Sequence, residues 1–211
     1  MKVRRRAARD WSPGFAAGLL LSAASALAAA GPATAGVLHL DAGACQIGFT
    51  LDATLHKVEG LFKLQGGTIT FDPATGEASG RVVITAASGE THNDKRDRKM
   101  HEKVLESSLF PEIVFVPERI EGTYLPAGDS EVRIRGAMEI HGARHEVVIA
   151  ARIHQENGRL SGTAGLTIPY VAWGMEDPSV FMFRVAKEVL VSLDLAGTVD
   201  AATAGAAVAG E

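Results

Sequence analysis

The chain has 211 residues, with 21 Lys and Arg against 25 Asp and Glu, one Cys and 46% apolar residues. This length suits one domain or two small ones, and a lone Cys45 excludes an internal disulfide and any site built on Cys pairs. Residues 1–35 hold five basic residues and one acidic residue, so the remainder has 16 basic and 24 acidic residues and a net charge of −8. That balance argues against a nucleic-acid-binding surface and against electrostatic docking on anionic lipid headgroups.

The first 35 residues have the organisation of a cleaved export signal. A basic segment is followed by an apolar stretch over residues 15–30 and by the small-x-small sequence Ala33-Thr34-Ala35. The stretch is rich in Ala and Gly and bounded by Pro13 and Pro32, which favours a signal peptide over a stable membrane span. We therefore predict a signal peptide over residues 1–35, one domain over 36–199 and a disordered, low-complexity tail over 200–211.

Apolar residues recur with a period of two in the first part of the domain, which predicts β-strands. Ile47, Phe49 and Leu51 share one face, for example. The glycine pair Gly66-Gly67 interrupts the second strand, which indicates a bulge or a sharp bend. The strands predicted here are residues 43–53, 58–71 and 80–87, with a hairpin turn at 72–76.

The middle of the chain changes character over residues 91–107. Met100, Val104 and Leu105 recur there at helical spacing among charged residues, and Asn93 or Asp94 could cap a short surface helix. Strands then resume at residues 112–120, 131–140, 146–154, 159–170 and 185–199. Pro117 cannot donate to a sheet ladder, so we expect it at an edge or a bulge.

These elements predict an all-β fold with about eight long antiparallel strands and one short helical excursion. Short turns between the strands favour an up-and-down meander. Eight such strands can close into a barrel whose interior holds side chains or one small ligand. A β-sandwich is the alternative architecture.

Several motifs, in order and spacing, resemble the YceI-like family over about residues 38–199. Those in the first half are Leu40-Asp41, Ile47-Gly48-Phe49, Val58-x-Gly60-x-Phe62, the run from Gly67 to Asp72, and Arg96-Asp97 followed by Met100-His101. Those in the second half are Phe110-Pro111-Glu112-Ile113-x-Phe115 and Gly136-x-Met138-x-Ile140-His141-Gly142. The chain departs from the family pattern at Ala44-Cys45, where the family often has His-Ser.

The resemblance implies an extended, lipocalin-like antiparallel barrel that binds a polyisoprenoid or a similar long apolar chain in its lumen. It also implies a periplasmic or secreted location and no catalytic residues or cofactor. The expected partner is accordingly an isoprenoid lipid or quinone, and the chain could form a homodimer.

Apolar side chains carry the ligand-binding hypothesis, with a solid core as the alternative for the same residues. We predict that the pocket wall contains Phe49, Leu51, Phe62, Leu64, Phe71, Phe115, Ile134, Ile140, Trp173, Phe181 and Phe183. Burial of each CH₂ contributes about 0.8 kcal/mol, so two isoprene units could contribute roughly 8 kcal/mol. This corresponds to about micromolar affinity before ordering costs are subtracted.

A few polar residues could contact a ligand at the mouth of the barrel. His56 and His101 are candidates, and Arg96-Asp97 could position an anionic or quinone-like head group. The other interpretation of that pair, which we favour, is an ion pair and helix cap that pins the excursion to the barrel. His141 and His145 flank a turn without a fixed geometry, so no metal site is predicted.

Three functions follow from these observations. The first is a periplasmic carrier for a polyprenyl chain or isoprenoid quinone. The second is an enzyme acting on a small apolar substrate at the barrel mouth, although Cys45 lacks an activating context and no Gly-x-Ser-x-Gly elbow occurs. The third is a stress-related structural protein with a filled core.

Overall fold

The computed structural model describes residues 35–54, 56–179 and 184–201. The strands are β1 Gly36–Leu40, β2 Gln46–Asp52, β3 Lys57–Phe71, β4 Ala78–Glu90, β5 Glu112–Gly122, β6 Gly128–Ile140, β7 Ala143–Glu156, β8 Arg159–Ile168 and β9 Val189–Ala201. Between β4 and β5 lie helix α1 Asp94–Lys99 and a π-helical turn, Met100–Val104.

Strands β2 to β9 form a closed, eight-stranded antiparallel barrel. Each strand pairs with the next along the chain, and β9 pairs back with β2, as in Ile47 opposite Leu193. This confirms the predicted barrel and meander. The additional strand β1 also pairs with both β3 and β9, so β1 and β2 together occupy one strand position.

The alternation of apolar and polar residues places one face of each strand inside the barrel. In β2, Ile47 and Phe49 are buried, whereas Gln46 and Asp52 are exposed. In β7, Ile149 and Ala151 are buried, whereas Val148 faces outward. The inward set is contiguous from strand to strand and forms the hydrophobic core.

Both predicted irregularities occur as register shifts in the sheet. One lies between Leu64 and Gly66 in the pairing of β3 with β4. The other lies between Pro117 and Arg119 in the pairing of β5 with β6, where Pro117 is fully buried. Glu118 is the extra, unpaired residue of this bulge, and Pro117 lies directly before it, opposite Gly136.

The helical excursion is shorter and less regular than predicted. Asn93 caps α1 by accepting a hydrogen bond from the backbone of Arg96. The backbone then widens into the π-helical turn, which closes with Leu105 N donating to Met100 O at 2.8 Å. Glu106 then adopts φ 45°, a left-handed conformation that cannot continue a helix.

The strands near the two ends of the domain differ from the predicted ones. Strand β1 was not predicted as a separate element, and β9 begins at Val189 because Val185 makes only an isolated bridge to Ala53. β9 also continues to Ala201, into the predicted tail. The rest of that tail and residues 1–34 of the predicted signal peptide lie outside the described residues.

Among the described residues, no helix combines the length and the apolar character needed to cross a membrane.

Candidate functional site

The interior of the barrel contains a cavity of about 440 Å³, which we call the lumen. Its wall is formed by the inward side chains of all nine strands and is almost entirely apolar. Ligand sites in proteins commonly measure about 300–1,000 Å³ and are lined mainly by apolar side chains with a few polar groups. The interior is therefore open rather than filled, and its size and chemistry suit an apolar chain.

Eight of the predicted wall residues line the lumen. These are Phe49, Leu51, Phe62, Leu64, Phe71, Phe115, Ile134 and Ile140. Phe49 and Phe62 also contact each other, with ring centroids 5.3 Å apart. Phe181 and Phe183 lie outside the described residues. The contact of all these residues with a ligand remains a prediction.

Trp173 is half-buried but is not part of the lumen wall. Its indole stacks on the imidazole of His145, with centroids 4.1 Å apart and an angle of 4° between the planes. Within the described ranges, the buried Nε2 atom of His145 has no hydrogen-bond partner. The segment over residues 169–179 instead contributes Tyr170, Met175 and Pro178 to the lumen.

At one end of the lumen, the helical excursion brings polar groups to the wall, among them Thr91, Arg96 and Lys99. Arg96 donates through Nε to the Thr91 hydroxyl and through Nη2 to the Thr91 carbonyl, each at 2.7 Å. Lys99 Nζ donates to the carbonyl of Pro178 at 2.7 Å. Both cations are thus bound to the protein itself.

Asp97 holds Thr91 from the other side. Its carboxylate accepts hydrogen bonds from the Thr91 backbone N–H, at 3.0 Å, and from the Thr91 hydroxyl. Burial raises the pKa of Asp97, but these hydrogen bonds outweigh burial and lower that pKa below its ordinary value. The predicted pinning of the excursion is therefore present, but Arg96 and Asp97 meet at Thr91 and, in this part of the described chain, form no ion pair with each other.

At the opposite end, two aromatic side chains line the lumen. The ring of Tyr124 packs edge-on against Phe71, with centroids 4.9 Å apart, and its hydroxyl donates to Gln155. Burial raises the pKa of Tyr124. The phenol therefore stays neutral and contributes a mainly apolar surface to this end.

The two histidines predicted as polar contacts do not line the lumen. His56 is exposed in the turn between β2 and β3. His101 lies 2.8 Å through Nε2 from the carbonyl of Gly89 and 3.3 Å through Nδ1 from the Ser107 hydroxyl. Because a carbonyl only accepts, Nε2 carries the proton, and His101 fastens the excursion to β4. Nowhere in the described ranges do three metal-ligating side chains converge.

Much of the lumen wall comes from residues that the sequence analysis did not single out. Lining residues of the last three strands are Ile149, Ala151, Ile153, Leu160, Ala164, Leu166, Ile168, Val189, Val191, Leu193 and Leu195. The period of two in these strands could have identified them, because the predicted strands already determined which residues share a face. The polar lining residues Lys99 and Tyr124 had no comparable signal, since they lie outside the strands, and Tyr170 ended a predicted strand but follows the observed β8.

Comparison with protein families gives one match, to the YceI-like domain, over residues 38–197. No curated protein matches the chain.

Several solved structures share the fold at low sequence identity. Burkholderia cenocepacia BcnA is 20% identical with a TM-score of 0.62, and the match covers 75% of this chain and 99% of that one. A polyisoprenoid binding domain from Saccharophagus degradans is 16% identical with a TM-score of 0.61, covering 77% and 98%. The Campylobacter jejuni YCEI protein is 18% identical with a TM-score of 0.56, covering 69% and 86%.

The family match spans most of the chain, and the neighbours share its closed barrel. This chain belongs to the YceI-like family.

Proposed function

We propose that the protein is a periplasmic or secreted carrier that holds an isoprenoid lipid, either a polyprenyl chain or an isoprenoid quinone, in the barrel lumen. The observation that carries this proposal is the cavity of about 440 Å³ inside the barrel, with its almost entirely apolar wall. The neighbour from Saccharophagus degradans, described as a polyisoprenoid binding domain, supports the ligand class.

The chemistry of the wall supports binding rather than catalysis. The polar groups that reach the lumen, such as Arg96, Lys99 and Cys45, make hydrogen bonds to backbone or side-chain atoms of the protein. The Cys45 thiol donates to the carbonyl of Ala196 at 3.3 Å, and its hydrogen bonds among the described residues include none to a basic side chain. A nucleophile needs such a base for activation. The apolar wall, by contrast, contributes affinity through burial of hydrocarbon alone.

The proposal is tested by filling the lumen from within. Ala164 faces the lumen on β8, whereas its neighbour Thr163 is exposed on the outside of the same strand. We expect Ala164→Trp to occupy the space of the lipid and abolish its binding, and the matched control Thr163→Trp to bind normally. Overpacking costs about 1–3 kcal/mol, which a folded barrel can tolerate.

Native mass spectrometry after gentle extraction provides the measurement. The wild-type protein should carry a co-purifying lipid mass or, once delipidated, acquire one from added isoprenoid quinone or polyprenol. A wild-type protein that carries and binds no lipid would contradict the carrier function. Equal binding by a folded Ala164→Trp variant would place the lipid outside the lumen.

A further inference from the structure

The wall of the barrel has a gap on one side of β3. β1 pairs with residues 67–71 of this strand and β2 pairs with residues 57–62, so residues 63–66 have no ladder partner on that side. Four residues of strand extend about 13 Å along the strand axis. The ladder on this side of β3 is therefore interrupted between β1 and β2.

The gap is closed on the side of β9 but not on the side of β3. The connection between β1 and β2 turns towards β9, where Asp41 N donates to the carbonyl of Ala196 at 2.9 Å. The Cys45 thiol also contacts the backbone of Ala196. Its sulfur lies 3.3 Å from the carbonyl oxygen of Ala196 and 3.3 Å from the amide nitrogen. Because both anchors lie on β9, the connection leaves residues 63–66 uncovered.

A second cavity of about 310 Å³ lies at this gap, and we call it the outer cavity. Four side chains, Cys45, Ile47, Phe62 and Leu64, line both the outer cavity and the lumen. A single layer of side chains therefore separates the two spaces. Phe62 is only half-buried, and aromatic side chains can change rotamer without rearrangement of the backbone.

The outer cavity has the polar character that the lumen lacks. Gln46, Lys63, Ser88 and Glu90 belong to its wall. None of the ion pairs in the described part of the chain involves Lys63. The Lys63 ammonium and the Gln46 amide can therefore donate to a ligand, whereas Arg96 and Lys99 in the lumen already donate to the protein.

We propose that the gap is the side entrance of the lumen and the binding site for the polar end of the lipid. The apolar chain passes between the side chains of Phe62 and Cys45 into the lumen, and a small end group that accepts hydrogen bonds stays in the outer cavity near Lys63 and Gln46. This inference rests on the proposed carrier function. It adds a site, a direction of entry and a class of end group to that function.

A matched pair of cysteine variants tests the entrance. Ala42 lines the outer cavity, whereas Ala44, in the same exposed turn, does not. In a Cys45→Ser background, Ala42→Cys or Ala44→Cys provides a single thiol. Each delipidated variant is modified with a bulky methanethiosulfonate reagent, and its uptake of a short-chain isoprenoid quinone is followed over time by native mass spectrometry.

We expect the modified Ala42→Cys variant to take up the quinone about tenfold more slowly, equivalent to a barrier raised by about 1.4 kcal/mol. The modified Ala44→Cys variant should match its unmodified form. Removal of the label with a reducing agent should restore uptake, which shows that the barrel stayed folded. Bound quinone should also slow the labelling of Ala42→Cys about tenfold while leaving that of Ala44→Cys unchanged, because the end group covers only position 42.

The possible failures are distinguishable. If the unmodified variants and the wild-type protein bind no quinone, the carrier function and the entrance both fail. If they bind it, but label at position 42 neither slows uptake nor is slowed by bound quinone, the carrier function stands and the entrance is elsewhere. Equal effects at positions 42 and 44 also overturn the entrance, since only position 42 lines the outer cavity.

Discussion

Thr91 is a buried residue that joins two neighbouring elements. Its backbone and hydroxyl contact both Arg96 and Asp97, which joins the end of β4 to helix α1. A threonine carries both a donor and an acceptor on one hydroxyl, so it can bind a cation and an anion at once. This arrangement fixes the helical excursion at the end of the lumen.

We predict that Asp97→Asn destabilises the protein in a pH-dependent way. The folded-state pKa of Asp97 lies below its ordinary value because hydrogen bonds from Thr91 outweigh the effect of burial. The carboxylate therefore contributes its full stabilisation above the ordinary Asp pKa of about 3.9. That contribution is lost as the pH falls through the lower folded-state pKa.

Urea unfolding at pH 7 and at pH 3 measures this effect. Loss of charge-assisted hydrogen bonds should lower the free energy of unfolding by about 1–3 kcal/mol at pH 7, and by less at pH 3. Asp94→Asn is the matched control, because Asp94 is exposed on the same helix. An equal loss at both pH values would show that the Asp97 charge does not stabilise the fold.

At the scale of elements, hydrogen bonds hold the 169–179 segment to the chain that follows it, one of them from Val185 N to the Ser179 hydroxyl at 3.0 Å. The Tyr170 hydroxyl donates to the carbonyl of Ala186 at 2.7 Å. Burial, with a smaller contribution from the nearby negative charge of Asp177, raises the pKa of Tyr170 to about 12. Both effects keep the phenol protonated and able to donate.

We predict that Tyr170→Phe lowers the free energy of unfolding by about 1–2 kcal/mol at neutral pH, because it leaves the Ala186 carbonyl without its donor. The raised pKa gives a second signature. The stabilisation from neutral Tyr170 is complete below the ordinary tyrosine pKa of about 10 and is lost as the pH rises through the folded-state value. The urea midpoint of unfolding is measured at pH 8 and at pH 11. Its decrease from pH 8 to pH 11 should be smaller for Tyr170→Phe than for the wild type.

The elements with the strongest periodicity in the sequence were the ones predicted best. Long alternating runs such as β7 and the bulge at Gly66 were predicted correctly, because period and glycine placement are local properties. β1 was missed because five residues are too few for a reliable period. The helical excursion was overestimated because apolar spacing alone does not distinguish an α-helix from a π-helical turn.

The lumen could be predicted only in part for a different reason. Inward faces follow from alternation, so eight wall residues were identified from sequence. Whether their side chains fill the barrel depends on its diameter and tilt, which pairing between distant strands determines. The position of Trp173 on His145 likewise depends on how a connecting segment folds over β7, and no local pattern encodes that contact.

At the scale of the whole molecule, we predict export with cleavage at or near Gly36. The basic, apolar and Ala-x-Ala succession motivates the prediction. β1 begins at Gly36, so cleavage there would leave the barrel complete. N-terminal sequencing of the protein recovered from the periplasm or medium should begin at or near Gly36. A mature protein that begins at Met1 would contradict it.

The pairing of β9 with β2 has a consequence for biogenesis. The seam joins strands near opposite ends of the domain, such as Phe49 to Val191 and Ile47 to Leu193. The cylinder therefore cannot close while its last strand is still being synthesised or translocated. Contacts this distant in sequence form slowly, and until then β2 and β8 each expose an unpaired edge that can recruit another chain. The nascent protein thus passes through an open, aggregation-prone sheet, and this state persists until β9 pairs with β2.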